Sequence, residues 1–368
     1  MKIALVHDYL NEFGGAERVL LALSDIYPKA PIYTIYAKSG SHARRKLKNK
    51  KIIQSWFSRL PFAHKLISPL RFLIPFIWSS FDFSNYDLVI TSASWAVTKG
   101  MKRGARTTEV CYLHTPPRYL YGYDTSRDWK SVNAVVKIYA HVVNHFMRIY
   151  DFNQAQKVDY FIVNSENVGH RVKKFYRRDY EVIYPPVEIG KTPNTARPLP
   201  NTNYYLTGGR LVKAKNFDLI ICAAKKTGVR LKVFGKGGEE EKLKKMANDS
   251  IEFLGHVTDK ELAELYAGAK AFIVAQKDED FGITPIEAAA AGCPTIAYRA
   301  GGYLETVVEG KTGVFFDRPS VDSLAKTIRQ FDGSNHSTIT VKALRAHAKK
   351  FSKKRFIKEV KKFVQENA

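Results

Sequence analysis

The sequence predicts an α/β protein made of two doubly wound, Rossmann-like parallel-sheet units, and three observations predict it. Short apolar or β-branched runs alternate with helical periodicity almost from end to end, the pattern of strands buried between helices. The 368 residues, 45% of them hydrophobic, suffice for two cores. Midway, the stretch Tyr184-Pro-Pro-Val-Glu-Ile-Gly-Lys-Thr-Pro-Asn-Thr-Ala-Arg-Pro-Leu-Pro interrupts the pattern, and prolines at this density forbid a core element. The expected organisation is a first domain over 1–188, a linker over 189–202 and a second domain over 203–351.

In the first half, strands are expected at Ile3–His7, Ile32–Tyr36, Leu88–Ser92, Val110–His114 and Tyr160–Asn164. In the second they are expected at Tyr204–Thr207, Leu231–Phe234, Ile251–Phe253, Ala271–Ala275, Thr295–Tyr298 and Gly313–Phe316, mostly separated by ten to twenty residues of helical periodicity. The opening Met-Lys-Ile-Ala-Leu-Val resembles the start of a signal peptide, but the apolar run stops at His7 and Asp8 without a small-residue cleavage site. It reads as a buried strand. The basic amphipathic segment Lys342 to Val364 places Phe356, Val360 and Phe363 at helical spacing, so a helix over about 352–368 can pack back on the first domain.

Fifty-nine Lys and Arg against 35 Asp and Glu give a net charge of +24. That favours anionic partners: phosphates, acidic lipid surfaces or nucleic acid. Cys111, Cys222 and Cys293 are far apart in apolar settings with no metal-ligand spacing. They read as core residues of a protein in a reducing cytoplasm.

The densest chemistry lies in Glu279-Asp-Phe-Gly-Ile-Thr-Pro-Ile-Glu287, which follows a strand and leads into the alanine run of a helix. Pro285 suits the first helical turn, where its missing N–H costs nothing. Amides at that helix start favour hydroxyl oxygens or a phosphate, and both carboxylates accept hydrogen bonds from sugar or ribose hydroxyls. A single glutamate here would merely complement the helix dipole. The coincidence of Gly282, Pro285 and two glutamates favours a turn that holds a polyhydroxylated anion.

A second signal is Gly208-Gly-Arg-Leu-Val-Lys-Ala-Lys215-Asn216, where a guanidinium, an ammonium and a helix start together suit a pyrophosphate. The alternative is a solvated basic loop. Gly14-Gly-Ala-Glu17-Arg18, after the first strand, is not a Gly-x-Gly-x-x-Gly pattern, and Gly235-Lys-Gly-Gly is not followed by the Gly-Lys-Ser/Thr of a Walker loop. The first is weak support for a nicotinamide cofactor, and ATP-hydrolysis chemistry is disfavoured.

The combination of Gly209-Arg-Leu-Val-x-x-Lys-Asn, Phe234-Gly-x-Gly, Phe253-Leu-Gly-His-Val, the Glu-x7-Glu segment and Gly301-Gly-x-x-Glu305 resembles the group-1, or family-4, retaining glycosyltransferases of the GT-B fold. Asp-Phe-Gly-Ile-Thr-Pro-Ile-Glu and Tyr112-Leu-His-Thr-Pro-Pro-Arg-Tyr-Leu-Tyr look most like bacterial mannosyltransferases of O-antigen or other surface polysaccharides. The resemblance implies two Rossmann-like domains facing each other across a cleft, and transfer of a hexose to a glycan or polyprenyl-linked acceptor. GDP-mannose is the donor it suggests first, with UDP-hexoses next.

Laid on matching positions, the resemblance implies that Arg210 and Lys215 neutralise the donor diphosphate, Glu287 binds the ribose and Glu279 touches the donor sugar. The backbones of Phe281, Gly282 and Ile283 would grip sugar hydroxyls, Gly14 and Gly15 the phosphate, and His114 would face the sugar. Asp8 and Glu17 are candidates for the acceptor side. No dedicated nucleophile or metal is implied, and no Asp-x-Asp pattern is present to hold one.

From Arg44 to Trp78 a basic run, Arg44-Arg-Lys-Leu-Lys-Asn-Lys-Lys, precedes Trp56-Phe57, Phe62, Phe72 and Phe76-Ile-Trp78. Its apolar runs are too short and too broken by proline to span a bilayer. Contact with an anionic membrane surface is expected, cations meeting headgroups and aromatics inserting at the interface, which would place the protein peripherally on the inner face of the cell membrane. The competing reading is an ordinary helical cover for the first domain. Two rivals remain for function: a nucleotide-sugar epimerase of the same fold, and a basic nucleic-acid-binding protein. No recognised nucleic-acid motif supports the second.

Overall fold

A computed structural model describes residues 1–125, 133–188, 203–333 and 338–368. The expected linker, 189–202, lies outside the described residues. The chain forms two compact units: one from Met1–Tyr123, residues 133–186 and Lys353–Ala368, the other within Val187–Ser352.

The first unit holds β1 (Ile3–His7), β2 (Ile32–Thr34), β3 (Ile52–Gln54), β4 (Leu88–Ala93), β5 (Thr108–Leu113), β6 (Tyr160–Val163) and β7 (Glu181–Val182). They form one sheet in the order β3-β2-β1-β4-β5-β6-β7, every pair parallel. Successive side chains point to opposite faces, so Leu5, Leu88, Ile90 and Tyr112 enter one layer with the helix Gly15–Ile26, while Ala4, Val6 and Val89 enter the other with Phe57, Ile74 and Trp78. Burial on both faces explains why these strands read as continuous apolar runs. The two strands the sequence reading missed, β3 and β7, are the sheet's edges, three and two residues long. Such pieces are too short to show a period.

The second unit pairs β8 (Tyr204–Gly208), β9 (Arg230–Phe234), β10 (Ile251–Gly255), β11 (Phe272–Val274), β12 (Thr295–Tyr298) and β13 (Gly313–Phe316) in the order β10-β9-β8-β11-β12-β13, again all parallel. Each sheet reverses its strand order once, at β1/β4 and at β8/β11. There the connections leave on opposite faces, and a crevice opens beyond the carboxyl ends of the strands, where doubly wound folds bind ligands. Both sheets therefore have the Rossmann arrangement.

The basic stretch Lys342 to Val364 holds two helices, Val341–Lys349 in the second unit and Lys353–Asn367 in the first, the latter matching the helix expected over about 352–368 on the first domain. The break has a local cause. Phe351 is buried against Phe281 and His347, and its carbonyl accepts a 2.9 Å hydrogen bond from Val187 N–H, which diverts the backbone from the helical path. Beyond it, Phe356, Val360 and Val364 enter the core of the first unit, Phe356 meeting the edge of Tyr112 at 5.8 Å. Lys353 bonds Asp25 at 2.9 Å, and Arg355 donates to Tyr184 O at 2.8 Å. Cys111 and Cys293 are buried and Cys222 half-buried, all three as thiols, in keeping with the core reading.

Phe356 is fully buried, so Phe356→Ala is expected to cost about 3–5 kcal/mol through lost transfer energy and the cavity left behind. Chemical denaturation followed by the fluorescence of Trp78, buried in the same unit, measures it. A change near zero would mean that the last helix is not part of that core.

Candidate active site

In the second unit the candidate residues gather at the strand-order reversal. β8 ends at Gly208 and runs into the loop that carries Arg210 and Lys215; β11 ends at Val274 and runs into the turn that carries Glu279. Asn216 joins the two. It adopts the left-handed conformation, φ 53°, which asparagine tolerates better than most residues, and its Nδ2 donates to Ala275 O at 2.9 Å. That bond brings Lys215 to the turn, where Lys215 Nζ lies 2.6 Å from Glu279 Oε2. Tyr303 OH donates to the same oxygen at 3.3 Å.

Glycines allow both loops to pack backbone on backbone. A Cβ on Gly235 would stand 1.8 Å from Gly209 O, so the Gly235-Lys-Gly-Gly run is the packing partner of the Arg210 loop, not a phosphate loop of its own. A Cβ on Gly302 would stand 2.4 Å from Phe281 Cα, and Gly302 N–H donates to Glu279 O at 2.9 Å. The turn around Glu279 is thereby clamped from behind.

Gly282 caps the helix Ile283–Ala291, with Pro285 in its first turn. The N–H groups at such a start have no intrahelical partner. Phe281 is buried, while Glu279, Ile283 and Glu287 are half-buried, and Arg210, at the loop tip, is exposed.

In the first unit His114 follows β5, and its Nε2 lies 2.8 Å from Ser92 Oγ. The same oxygen lies 3.1 Å from His7 Nδ1, because His7 and Ser92 are level in the parallel pairing of β1 with β4. His7 Nε2 is 3.6 Å from Glu17 Oε1, longer than an ordinary hydrogen bond. Gly14 N–H donates to the other Glu17 oxygen at 2.8 Å, which leaves Gly15 as the first residue of the helix. Burial pushes the Glu17 carboxyl up, but the bonds with His7 and Gly14 outweigh it and hold it below the usual range.

The direction of the row follows from these partners. A carboxylate only accepts, so it favours the proton of a neutral His7 on Nε2. Ser92 then donates to His7 Nδ1 and accepts from His114 Nε2–H. The row sets the His114 tautomer with its basic lone pair on Nδ1. His7 and Ser92 were missed in the sequence; both end strands that flank the reversal, which is the signal that could have found them. Tyr303 was missed although it directly follows Gly301-Gly302.

Asp8 corrects an expectation. Its carboxylate is buried and accepts hydrogen bonds from Trp95 N at 2.6 Å, Ser94 Oγ at 2.8 Å, Ala96 N at 3.2 Å and Thr98 Oγ1. It holds the loop after β4 and has no capacity left for an acceptor sugar. In Arg44–Trp78 the basic run and the buried aromatics lie in different layers, while Trp56, Phe62, Phe72 and Phe76 are exposed. Ala43 and Leu47 anchor the basic run in the layer with the helix Gly15–Ile26, whereas Phe57, Ile67, Ile74 and Trp78 fill the layer on the opposite face of the sheet.

Two family models match successive parts of the chain: Glycosyltransferase Family 4 over residues 13–191 and Glycosyl transferases group 1 over residues 193–354. The chain belongs to the group 1, family 4 glycosyltransferases. It is 29% identical over 179 residues to the UDP-N-acetylglucosamine–peptide N-acetylglucosaminyltransferase GtfA subunit of Streptococcus gordonii, 45% of this chain and 35% of that protein. It is 32% identical over 139 residues to the GDP-mannose-dependent alpha-mannosyltransferase of Corynebacterium glutamicum, 37% of this chain and 33% of that one. This glycosyltransferase spans 35%, 40% and 62% of the length of the three streptococcal GtfA subunits it matches. Its fold is that of Anabaena HepE, solved with UDP-glucose, at a TM-score of 0.73 and 18% identity over 100% of both chains. That likeness establishes the GT-B architecture.

The clamp behind Glu279 can be tested directly. Gly302→Ala is expected to destabilise the second unit by about 1–3 kcal/mol through overpacking. Gly333→Ala, whose Cβ would meet nothing within 4 Å, serves as the control. Equal denaturation midpoints for the two variants would show that the turn is not held this way.

Proposed function

We propose that this glycosyltransferase is a retaining, metal-independent hexosyltransferase that takes mannose from GDP-mannose and passes it to a hydroxyl of a glycan or lipid-linked glycan in surface-polysaccharide synthesis. The observation that carries the reading is the grouping of Lys215, Glu279 and Tyr303 where the strand order of the second unit reverses. An ammonium has three donors, so Lys215 can bond a diphosphate oxygen while it keeps Glu279. Arg210, on the adjoining loop, supplies a fork suited to a second phosphate oxygen. Family membership and the nucleotide-sugar relatives support the donor class. The GDP-mannose-dependent relative supports the choice of sugar, against the UDP-N-acetylglucosamine named for the streptococcal proteins.

In the proposed step the bond between the anomeric carbon and the diphosphate oxygen breaks while the acceptor oxygen bonds that carbon from the same face. The acceptor proton passes to the departing phosphate. Negative charge grows on the diphosphate, where Arg210, Lys215 and the N–H groups of Gly282 and Ile283 meet it; preorganised charge of this kind needs no rearrangement as the bond breaks. Glu279 stands beside the positive charge on the sugar, and Glu287, one turn into the helix, takes the ribose hydroxyls. In the first unit Gly14 and Gly15 are assigned to phosphate and His114 to a sugar hydroxyl, its acceptor nitrogen set by Ser92 and His7.

Removing one such stabilising group typically costs on the order of 10²–10³ in kcat. Glu279→Ala and Lys215→Ala are each expected to lose turnover in that range while circular dichroism stays native. Wild-type turnover in both would remove them from the site.

The donor is tested by thermal shift with GDP-mannose, UDP-glucose and UDP-N-acetylglucosamine. A ligand at about 100 times its Kd adds roughly 2.7 kcal/mol of stability, so the donor should raise the melting temperature by several degrees. Stabilisation by a UDP-sugar but not by GDP-mannose would overturn the choice of donor. Release of a free epimerised nucleotide sugar, with no acceptor product, would overturn transfer itself.

A further inference from the structure

The longest helix of the described residues, Ala134–Lys157, turns the wrong face to solvent. Its buried side consists of Ala140, Met147, Asp151, Gln154 and Ala155. Its exposed side carries Val135, Ile138, Val142, Phe146, Ile149 and Phe152, between 36% and 76% accessible. At 100° per residue these six fall within an arc of roughly 120°, opposite the buried side, so a mainly apolar stripe, shared with His145 and Asn153, faces outward. It runs for about 26 Å at 1.5 Å per residue. Isolated exposed apolar residues are ordinary, but a contiguous stripe of large ones marks a surface that something covers.

The surroundings extend the stripe. Arg71 Nε donates to Asn144 Oδ1 at 2.9 Å and ties the helix to the segment that exposes Phe72 and Phe76. Phe76 and Tyr150 line one cavity of about 960 Å³, rimmed by Lys102, Arg103, Arg106 and Lys157. Asp159, also on that rim, is paired with Arg103 at 2.9 Å. The sequence has no Asp or Glu between Asp25 and Asp82. The one carboxylate of the helix, Asp151, is fully buried against Lys99. The exposed helix face and the adjoining aromatic segment therefore offer apolar, cationic and neutral polar groups but, among the described residues, no carboxylate.

We infer that this face of the first unit is a docking surface for an anionic lipid bilayer, with the helix Ala134–Lys157 lying in the interface plane. Charge decides among occupants. A second copy would set Lys137 and Lys157 of one chain against the same cations of another, within a molecule of net charge +24, whereas anionic headgroups complement them. No helix among the described residues is long and apolar enough to cross a membrane, so the contact is made by lying on the surface. The inference does not rest on the proposed reaction. It keeps the exposed Phe72 and Phe76 of the expected Arg44–Trp78 contact and adds a helix that the sequence reading passed over.

The test is co-sedimentation of the full chain with vesicles of phosphatidylcholine alone and of phosphatidylcholine with phosphatidylglycerol. Wild type is expected to bind the anionic vesicles on the order of tenfold more tightly than the neutral ones. The triple variant Ile138→Ser, Phe146→Ser, Ile149→Ser should lose about tenfold or more of that binding. All three positions are exposed, so its melting temperature and its thermal shift with nucleotide sugars should match wild type, which separates failure here from failure of the proposed function. The charge variant Lys137→Glu, Lys157→Glu should lose the preference for anionic vesicles. Unchanged binding of the triple variant overturns the proposal. So does a wild-type dimer in solution that fails to bind vesicles and that the triple variant dissociates.

Discussion

Much of the candidate site depends on backbone meeting backbone without side chains between. Gly235 fits against Gly209 O, and Gly301 and Gly302 fit against the backbone of residues 279–281, at separations that no Cβ could share. Close packing of this kind converts two surface loops into fixed objects, because a displacement of either must move a strand end. Lys215 and Glu279 can then meet at 2.6 Å although neither stands on an α-helix or a strand. Without the glycines the same two side chains would be long, flexible and half in water, and such pairs hold little.

The same constraint explains what the sequence disclosed. Strands buried on both faces read clearly, and all six strands of the second unit were found, Thr295–Tyr298 and Gly313–Phe316 to the residue. The run from Glu279 to Glu287 was legible because glycine, proline and paired carboxylates have few reasons to coincide. The row Glu17, His7, Ser92, His114 was hidden because its members come from β1, the helix after it, β4 and β5, and only the parallel register brings them level. Composition carries no such register. The helix boundary near 352 was legible, but its cause was not: no proline or glycine marks it, and a distant residue, Val187, makes the bond there.

Polarity is only a partial guide in the first unit. The aromatic segment ending at Trp78 divides: Phe57, Ile74 and Trp78 cover the sheet face that Ala4, Val6 and Val89 present, while Trp56, Phe62, Phe72 and Phe76 stay exposed. The helix Ala134–Lys157 has no place in the sequence reading. Only the fold decides which side is buried, and it buries Asp151 and Gln154 while exposing Phe146. Burying Asp151 is possible because Lys99 bonds it and Tyr121 OH donates to it at 2.7 Å. An unpaired carboxylate there would be prohibitive.

Buried polar groups in this unit thus separate by the company they keep. Asp8 is surrounded by donors from a single loop, and Glu109 by the amides of Gly100 and Met101 at 2.7 and 2.8 Å. Burial pushes the Glu109 carboxyl up to about 7, despite those amides and the nearby Arg103. Both carboxylates satisfy loop amides that no ladder reaches; their chemistry is spent on structure. His7, Ser92 and His114 differ. Their bonds run between side chains, and they lie at the carboxyl ends of β1, β4 and β5, where a doubly wound sheet stops covering itself. A hydroxyl held between two imidazoles does little for turn geometry. What it does bear on is which nitrogen of His114 carries the proton.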